Sequence, residues 1–203
     1  MIVEQVRRTL VGDFVAERSV ILTSISGIFH GFAEAGWSAQ EHEGWWPRLE
    51  RDGVHIILIP QGSALLDLAP TLQETPRVHL LGYAGSLTAA VDVGEIVSPA
   101  KALHPVGPHQ ARPLAGDDAL VISSVPNLLA GYAIYESSTR PDLVDMESGH
   151  LAHALGNSEK LTVRVLITDR WPDKPFYVAS TNDPRFLVRR RLDLVTQCIK
   201  DVT

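Results

Sequence analysis

The sequence lacks most of what exported, membrane-spanning and thiolate-metal proteins need. It contains one cysteine, Cys198, which cannot form an internal disulfide or by itself make a cysteine-rich metal site. No apolar stretch approaches the ~18 residues that cross a bilayer, and the first ten residues carry Glu4, Arg7 and Arg8 without the apolar segment of an export signal. We therefore expect a cytoplasmic protein that has no membrane partner.

Basic residues and several catalytic motifs are also scarce. Eighteen Lys and Arg against 24 Asp and Glu give a formal charge of −6, and the basic residues cluster only at Arg189, Arg190 and Arg191. This balance argues against nucleic acid as a partner. The serine-hydrolase motif G-x-S-x-G, the phosphate loop G-x-x-x-x-G-K-[ST] and the dinucleotide fingerprint are all absent, so these three chemistries have no support.

Alternating strand and helix patterns fill the chain. Its 203 residues, 45% of them hydrophobic, fit one domain over 1–203, since domains average ~150 residues. Helical spacing predicts four helices. The proline-rich segment 100–118 is predicted to be a rigid loop or crossover, and the tryptophan-containing segment 37–52 a loop or short hairpin. Apolar runs predict strands at 20–27, 54–60, 78–84, 119–125 and 161–168, and the helices are placed at 28–36, 64–71, 145–155 and 185–200.

This alternation predicts an α/β domain with a mostly parallel sheet. Because the strands are apolar on both faces, helices should cover the sheet on both sides. In such folds ligands bind beyond the carboxyl ends of the strands. Candidate functional residues should therefore follow the predicted strands.

Three segments place suitable residues there. The segment Gly82-Tyr83-Ala84-Gly85-Ser86-Leu87 ends a strand, and its glycines allow either close approach of a ligand or a tight structural turn. The segment 144–148, VDMES, opens a predicted helix, where acidic residues either bind a ligand or simply complement the helix dipole. Asp169 follows a buried strand, where it either donates a proton from a carboxyl of raised pKa, caps the next turn, or pairs with Arg170.

Histidines raise the question of a metal site. Glu147, His150 and His153 stand at i, i+3 and i+6, close to one face of the predicted helix. A solvated face explains the same spacing, because histidine is common on the exposed side of an amphipathic helix. We expect no metal and no organic cofactor.

The order of the motifs resembles a known superfamily. GYAGSL at 82–87, VDVGEIV at 91–97, VDMES at 144–148 and ITD at 167–169 follow one another as in the nucleoside phosphorylases and nucleosidases. The resemblance extends from about Val20 to Asp169. It implies a three-layer α/β sandwich with a twisted, mixed, mostly parallel central sheet flanked by helices. It also implies a homo-oligomer, built as a dimer or from trimers.

The activity implied by this resemblance is cleavage of the N-glycosidic bond of a purine-type or modified nucleoside. The family's Met-Glu pair, which holds ribose, falls on Met146 and Glu147, and its purine-contacting acid falls on Asp169. The partner is then a small-molecule nucleoside, with water or inorganic phosphate as the nucleophile. The further substrate-binding residues that the resemblance indicates are Ser26, Gln61, Gly62, Tyr83, Ala84, Gly85 and Tyr132.

The nucleophile side departs from the family pattern. Phosphorolytic members carry an arginine soon after the first-strand glycine, whereas Gly27 is followed here by Ile28, Phe29 and His30. Hydrolytic members place a glutamate in that region, and Glu34 lies a turn or two too late. Tyr83 replaces a Ser or Thr. These departures favour water over phosphate, and they leave open a catalytically degenerate nucleoside-binding protein or a biosynthetic accessory enzyme.

Overall fold

The computed structural model describes residues 2–13, 18–39, 42–104, 110–125, 140–173 and 184–203. Within these ranges eleven strands form one sheet. The strands are β1 (Ser19–Thr23), β2 (Ser38–Ala39), β3 (Arg48–Arg51), β4 (Val54–Leu58), β5 (Arg77–Ser86), β6 (Ile96–Val97), β7 (Pro99–Leu103), β8 (Arg112–Pro113), β9 (Asp118–Ser124), β10 (Leu143–Asp145) and β11 (Leu161–Arg170). The helices are α1 (Ile2–Val11), α2 (Ser26–Glu34), α3 (Ser148–Ala154) and α4 (Pro184–Val202).

Strand β5 is the centre of the sheet because it pairs with three other strands. The order is β2-β3-β4-β1-β5-β10-β9-β7-β8, and β11 pairs with both β5 and β6. The long ladders β4–β1, β1–β5 and β5–β11 are parallel, whereas the antiparallel ladders at β10–β5, β6–β11 and β7–β8 are short. This architecture confirms the predicted α/β fold with a mixed, mostly parallel sheet.

Successive residues of the central strands point to opposite faces of the sheet. In β1, Ile21 joins one hydrophobic cluster, while Val20 and Leu22 join the other. Helices α2 and α4 cover the first cluster. Helices α1 and α3 and two short 3₁₀ helices cover the second. Burial on both faces explains why the strands read as continuous apolar runs.

Two predicted helices differ from the structure. The predicted helix 64–71 is instead a pair of 3₁₀ helices, Gly62–Asp67 and Ala69–Leu72, because Pro70 supplies no amide to continue an α-helix. The predicted helix 145–155 begins only at Ser148. Asp145 ends β10 and its carboxylate accepts a hydrogen bond from the Ser148 amide, which is how an N-terminal cap holds a helix start.

The irregular segments contain short strands. Segment 100–118 was predicted to be irregular, but it contains most of β7, all of β8 and the first residue of β9, so the prediction was wrong there. Pro99 and Pro113 stand at strand ends, where the missing amide costs no hydrogen bond of the sheet. In segment 37–52, β2 pairs antiparallel with β3, which confirms the hairpin alternative. Trp45 there is 76% exposed. No helix of the described ranges is both long and apolar enough to span a membrane.

Candidate active site

A cavity of about 300 Å³ opens where β1, β5 and β11 end. Strand β1 leads to Ser24, β5 contributes Tyr83, and β11 contributes Asp169. Glu147 reaches the same cavity from the segment between β10 and α3. The glutamate and the aspartate singled out in the sequence, 22 positions apart, therefore share one cleft at the edge of the sheet where α/β proteins bind ligands.

Glu147 is held in place by a backbone amide from a distant part of the chain. Its Oε1 accepts a hydrogen bond of 3.0 Å from the Gly62 amide, and the Ser24 side chain lines the same cavity. Glu147 is 6% exposed, and burial raises the pKa of its carboxyl while the hydrogen bond from Gly62 opposes the rise. A buried carboxylate that lines a cavity can accept further hydrogen bonds from hydroxyl groups of a ligand.

Gly62, which was predicted to bind substrate, is linked to the cavity through Glu147, because its amide donates a hydrogen bond to that carboxylate. Its φ of +75° is a conformation that glycine adopts without strain, and this turn aims the amide at the carboxylate. The neighbouring Gln61 lines the cavity as predicted.

Asp169 lies inside β11, not beyond it. A bulge after Ile167 shifts the register so that Asp169 pairs with Gly85 of β5. The Thr168 hydroxyl donates a 2.8 Å hydrogen bond to Oδ1, and burial raises the pKa of the carboxyl. The alternative of pairing with Arg170 is wrong, because that arginine binds Asp173 and lies 3.4 Å from Asp92.

Gly85 makes room for the Asp169 carboxylate. A Cβ atom at Gly85 would lie 2.7 Å from Asp169 Oδ2, closer than such atoms approach in proteins. The segment 82–86 is part of β5, so the predicted tight turn is absent from the structure. Ala84 also lines the cavity. Gly85 thus leaves the space in which the Asp169 carboxylate lies beside the cavity.

Asp145 is a site residue that the sequence analysis missed. It lines the cavity, and it accepts hydrogen bonds from the Ser148 amide, the Ser148 hydroxyl and the Ser124 hydroxyl. Burial and the nearby Glu147 raise its pKa to about 7. Asp145 stands three residues before Ser148, the first residue of α3, and this spacing is the sequence signal of a side chain that bonds an amide at a helix start.

Tyr83 forms part of the cavity wall and contacts the C-terminal helix. Its phenol is half-buried, and burial raises its pKa, while the positive charge of Arg191 on α4 opposes the rise. Arg191 is a second residue that the sequence analysis did not single out, since nothing local distinguishes it from Arg189 and Arg190.

The remaining predicted residues fall in different places. Met146 lines the cavity, and its Cε lies 4.0 Å from where a Cβ of Gly62 would be. Ser26 is exposed in the first turn of α2 and is not among the lining residues, because β1 ends early and places Ser24 at the cavity instead. Tyr132 lies outside the described residues. Glu34 is exposed at the last turn of α2, about 12 Å along the helix from its start.

Comparison with known proteins identifies the architecture. No protein-family model matches the sequence, and a search of curated proteins finds no match. Among solved structures, AMP nucleosidase from Bacteroides thetaiotaomicron is 21% identical, covers 96% of each chain and gives a TM-score of 0.65. The Campylobacter jejuni 5'-methylthioadenosine/S-adenosyl homocysteine nucleosidase is 13% identical over 90% of this chain and 97% of that one, with a TM-score of 0.70.

The Arabidopsis thaliana 5'-methylthioadenosine nucleosidase gives a TM-score of 0.72 at 12% identity, covering 94% of this chain and 97% of that one. The chain has the nucleosidase fold. These likenesses extend over nearly the full length of each protein, so the whole described sheet, and not one motif, carries the match. At 12–21% identity, these likenesses are likenesses of fold.

The described part of this chain holds a second, larger cavity at the opposite edge of the sheet. It measures about 560 Å³ and is lined by residues near the starts of β5 and β11, including Arg77, His79 and Arg164. Two of its cations have partners within the protein: Lys160 Nζ donates to three backbone carbonyls, and Arg164 pairs with Asp201. Its larger size alone therefore does not make this cavity the candidate active site. The carboxyls of Glu147 and Asp169, which converge on the smaller cavity, favour that one.

The histidines of α3 lie in the same fold but form no metal site with Glu147. His150 Nδ1 lies 3.2 Å from His104 Nε2, and His104 also stacks at 4.9 Å from His153. The described part of the chain contains no group of three or more His, Cys, Asp or Glu side chains placed to hold a metal.

Proposed function

We propose that this protein cleaves the N-glycosidic bond of a purine-type nucleoside, with water as the nucleophile. One observation carries the proposal: Glu147 and Asp169 open onto a single cavity at the carboxyl ends of the sheet strands. The nucleosidase fold supports this assignment, and the neighbouring structures suggest which substrates to test.

Asp169 is the proposed general acid. A purine leaves with electrons that must be neutralised, and a protonated carboxyl beside the base can do this by donating its proton. Burial raises the pKa of Asp169, which keeps a larger fraction protonated near neutral pH. A positioned general acid contributes about 10²- to 10⁴-fold in rate, so other groups must supply the rest.

Glu147 is the proposed ribose-binding group. Loss of the base leaves a sugar of oxocarbenium character, and hydrogen bonds from the ribose hydroxyls to a carboxylate strengthen as that charge develops. The hydrogen bond from the Gly62 amide helps to orient the carboxylate. Met146, beside it in the cavity wall, supplies an apolar surface for the sugar.

The choice of water rests on the composition of the cavity wall. Among the described residues that line it, none is an arginine or a lysine, so a phosphate dianion would lack a direct cationic partner there. Inorganic phosphate as a co-substrate is therefore the alternative that the assay must test. We propose no cofactor for either reaction.

A second candidate function is nucleoside binding without turnover. The described carboxyls that line the cavity are Asp145, Glu147 and Asp169, and Glu34, the glutamate nearest to the first strand, is on the far end of α2. A site without a carboxylate on the nucleophile side can bind a nucleoside without activating water. This observation favours a degenerate or accessory protein.

Base release separates the candidates. The protein is incubated with adenosine, inosine, guanosine, 5'-methylthioadenosine, S-adenosylhomocysteine and AMP, each with and without phosphate, and free base is measured by chromatography. Release without phosphate supports hydrolysis, and release only with phosphate contradicts it. Binding by calorimetry without any release would support the second candidate.

Two variants test the assigned roles. Asp169→Asn should abolish base release with the fold intact, because an amide cannot donate an acid proton. Glu147→Gln should lower kcat/KM by an amount equivalent to roughly 1.5–3 kcal/mol, typical of one charged hydrogen bond. Asp67→Asn, at an exposed position outside the cavity, is the matched control and should behave as the wild type. Full activity in Asp169→Asn would remove this residue from the mechanism.

Three further expectations belong to the proposal. We propose that the chain acts as one domain over 1–203, that it assembles as a dimer or trimer-based homo-oligomer, and that it works in the cytoplasm. Analytical ultracentrifugation tests the assembly, and a monomer at all concentrations would contradict it.

A further inference from the structure

Met146 and Glu147 project from a short turn that a single carboxylate closes. Asp145, the last residue of β10, accepts a 2.9 Å hydrogen bond at Oδ2 from the Ser148 amide. The closed turn therefore contains only Met146 and Glu147 between its ends. The Ser148 hydroxyl donates a further 2.8 Å hydrogen bond to Oδ1 of the same carboxylate. The backbone from which Glu147 extends is thus fixed by the side chain of the residue two positions before it.

Ser124 ties this turn to the sheet. It ends β9 and lies opposite Asp145 in the parallel ladder between β9 and β10. Its hydroxyl donates a 3.0 Å hydrogen bond to Asp145 Oδ1 and accepts a 2.7 Å hydrogen bond from the Gly149 amide. One hydroxyl therefore joins the end of β9, the carboxylate that closes the turn and the first turn of α3. Ser124 is fully buried and is not among the described residues that line the cavity, so it acts on a ligand only through other residues.

The far end of the Glu147 side chain has a partner outside this network. The Gly62 amide, 85 positions earlier in the chain, donates a 3.0 Å hydrogen bond to Oε1. Within the described ranges no hydrogen bond joins Gly62 to Ser124 or Asp145. The protection of the Gly62 amide therefore reports where the Glu147 carboxylate lies.

We propose that Ser124 and Asp145 are positioning residues for Glu147, which hold the turn in the conformation that presents its carboxylate to the 2'- and 3'-hydroxyls of a bound nucleoside. The role needs an acceptor at position 145 for the Ser148 amide, and no transfer of a proton to the substrate. Asparagine has such an acceptor and is a good helix cap, so it should fill the role in part, whereas alanine should not. The inference rests on the proposed function for its ligand, but the contacts are present without one.

Hydrogen exchange of the Gly62 amide, measured by NMR, tests the proposal without a ligand. Glu147→Ala removes the acceptor and gives the rate of the unprotected amide. Ser124→Ala and Asp145→Ala should accelerate exchange by about 3- to 10-fold, the equivalent of one lost hydrogen bond. Asp145→Asn should recover part of the protection. Exchange at the wild-type rate in a folded Ser124→Ala protein would overturn the proposal.

Ser123→Ala is the matched control. Ser123 is the neighbouring buried serine of β9, and its hydroxyl donates to the backbone carbonyls of Leu103 and Ser124 at 3.5 and 3.4 Å. Its loss removes buried hydrogen bonds from the same strand and none from the turn, so exchange at Gly62 should not change. Equal acceleration in Ser123→Ala and Ser124→Ala would show a general loosening of β9 and overturn the proposal. Ser124→Cys, which keeps the shape but only a weak donor and acceptor, replaces Ser124→Ala if that variant does not fold, and should change exchange in the same direction.

Calorimetry with two nucleosides tests the consequence for a ligand. Ser124→Ala should weaken the binding of adenosine by about 3- to 10-fold and leave the binding of 2',3'-dideoxyadenosine unchanged, because that analogue has no 2'- or 3'-hydroxyl for Glu147 to hold. Equal losses for both nucleosides would overturn the proposal. If the wild type binds neither, the proposed function fails for adenosine, and the exchange of the Gly62 amide still decides whether Ser124 and Asp145 position Glu147.

Discussion

Replacing Gly85 with alanine should disable the site while leaving the fold intact. The new Cβ would lie 2.7 Å from Asp169 Oδ2, whereas ordinary contacts of this kind begin at 3.4 Å. The carboxylate must therefore move by about 0.7 Å. The new Cβ would also lie 3.4 Å from Val144 Cγ2, which is an ordinary contact distance, so Val144 does not need to move.

The two consequences of that movement differ in size. Misplacing a catalytic group by about 1 Å costs on the order of 10²-fold, so Gly85→Ala should lower kcat/KM by roughly 10- to 100-fold. The cost in stability should stay within about 1 kcal/mol, because the displaced atom is the end of a side chain and alanine loses less backbone entropy on folding than glycine.

Gly82→Ala is the matched control. Gly82 lies on the same strand, is buried as Gly85 is, and has no heavy atom within 4 Å of a new Cβ. It should retain wild-type activity and stability. The measurements are base release for kcat/KM and urea unfolding for stability, made on both variants and the wild type.

The reasoning fails if Gly85→Ala retains full activity, since Asp169 then either tolerates displacement or takes no part. It fails equally if Gly85→Ala loses activity only in proportion to unfolded protein. A loss of activity in a folded Gly85→Ala protein, together with an unaffected Gly82→Ala protein, would support the position of the acid.

Three further outcomes are expected. Activity should fall as pH rises through the raised pKa of Asp169, because only its protonated form donates a proton, and a flat alkaline limb in the pH profile of kcat would contradict this. Burial raises the pKa of Asp145 from 3.8 to about 7, so the folded state binds this proton more tightly than the unfolded state. The stability that this proton contributes is present below pH 4 and should be lost as pH rises towards 7, by at most roughly 4 kcal/mol. The urea midpoints of Asp145→Asn should lack this dependence on pH. Gly149→Ala should destabilise by about 1–3 kcal/mol in urea unfolding, because its Cβ would lie 2.9 Å from the backbone carbon of Leu103, which cannot yield cheaply; an unchanged midpoint would show that α3 shifts freely.

Local patterns were enough to predict the long parallel strands of the sheet. The apolar runs around Val20, Val54, Val78 and Leu161 became the parallel strands β1, β4, β5 and β11, because strands buried on both faces must be continuously apolar. The same rule directed attention to the residues at their carboxyl ends. Boundaries were less certain where two local signals competed, as at Pro70, where apolar spacing favoured an α-helix and the missing amide prevented one.

Within the site, the sequence predicted residue types but not contacts. Glu147, Met146 and Asp169 could be named because each follows a strand or opens a helix in an ordered set of motifs. Asp145 was overlooked because its role as a cap depends on β10, a strand of three residues with too little pattern to recognise. The first strand was predicted over 20–27, whereas β1 ends at Thr23, and so Ser24 lines the cavity and Ser26 does not.

What the amino-acid sequence determined by itself was the alternation of elements and the polar residues at their ends, since both depend on spacing along the chain. Only the tertiary structure decided which of these residues meet. The Gly62 amide reaches Glu147 across 85 positions, and Gly85 admits the Asp169 carboxylate. Such pairs are set by strand order and by the packing of helices, which no local pattern specifies.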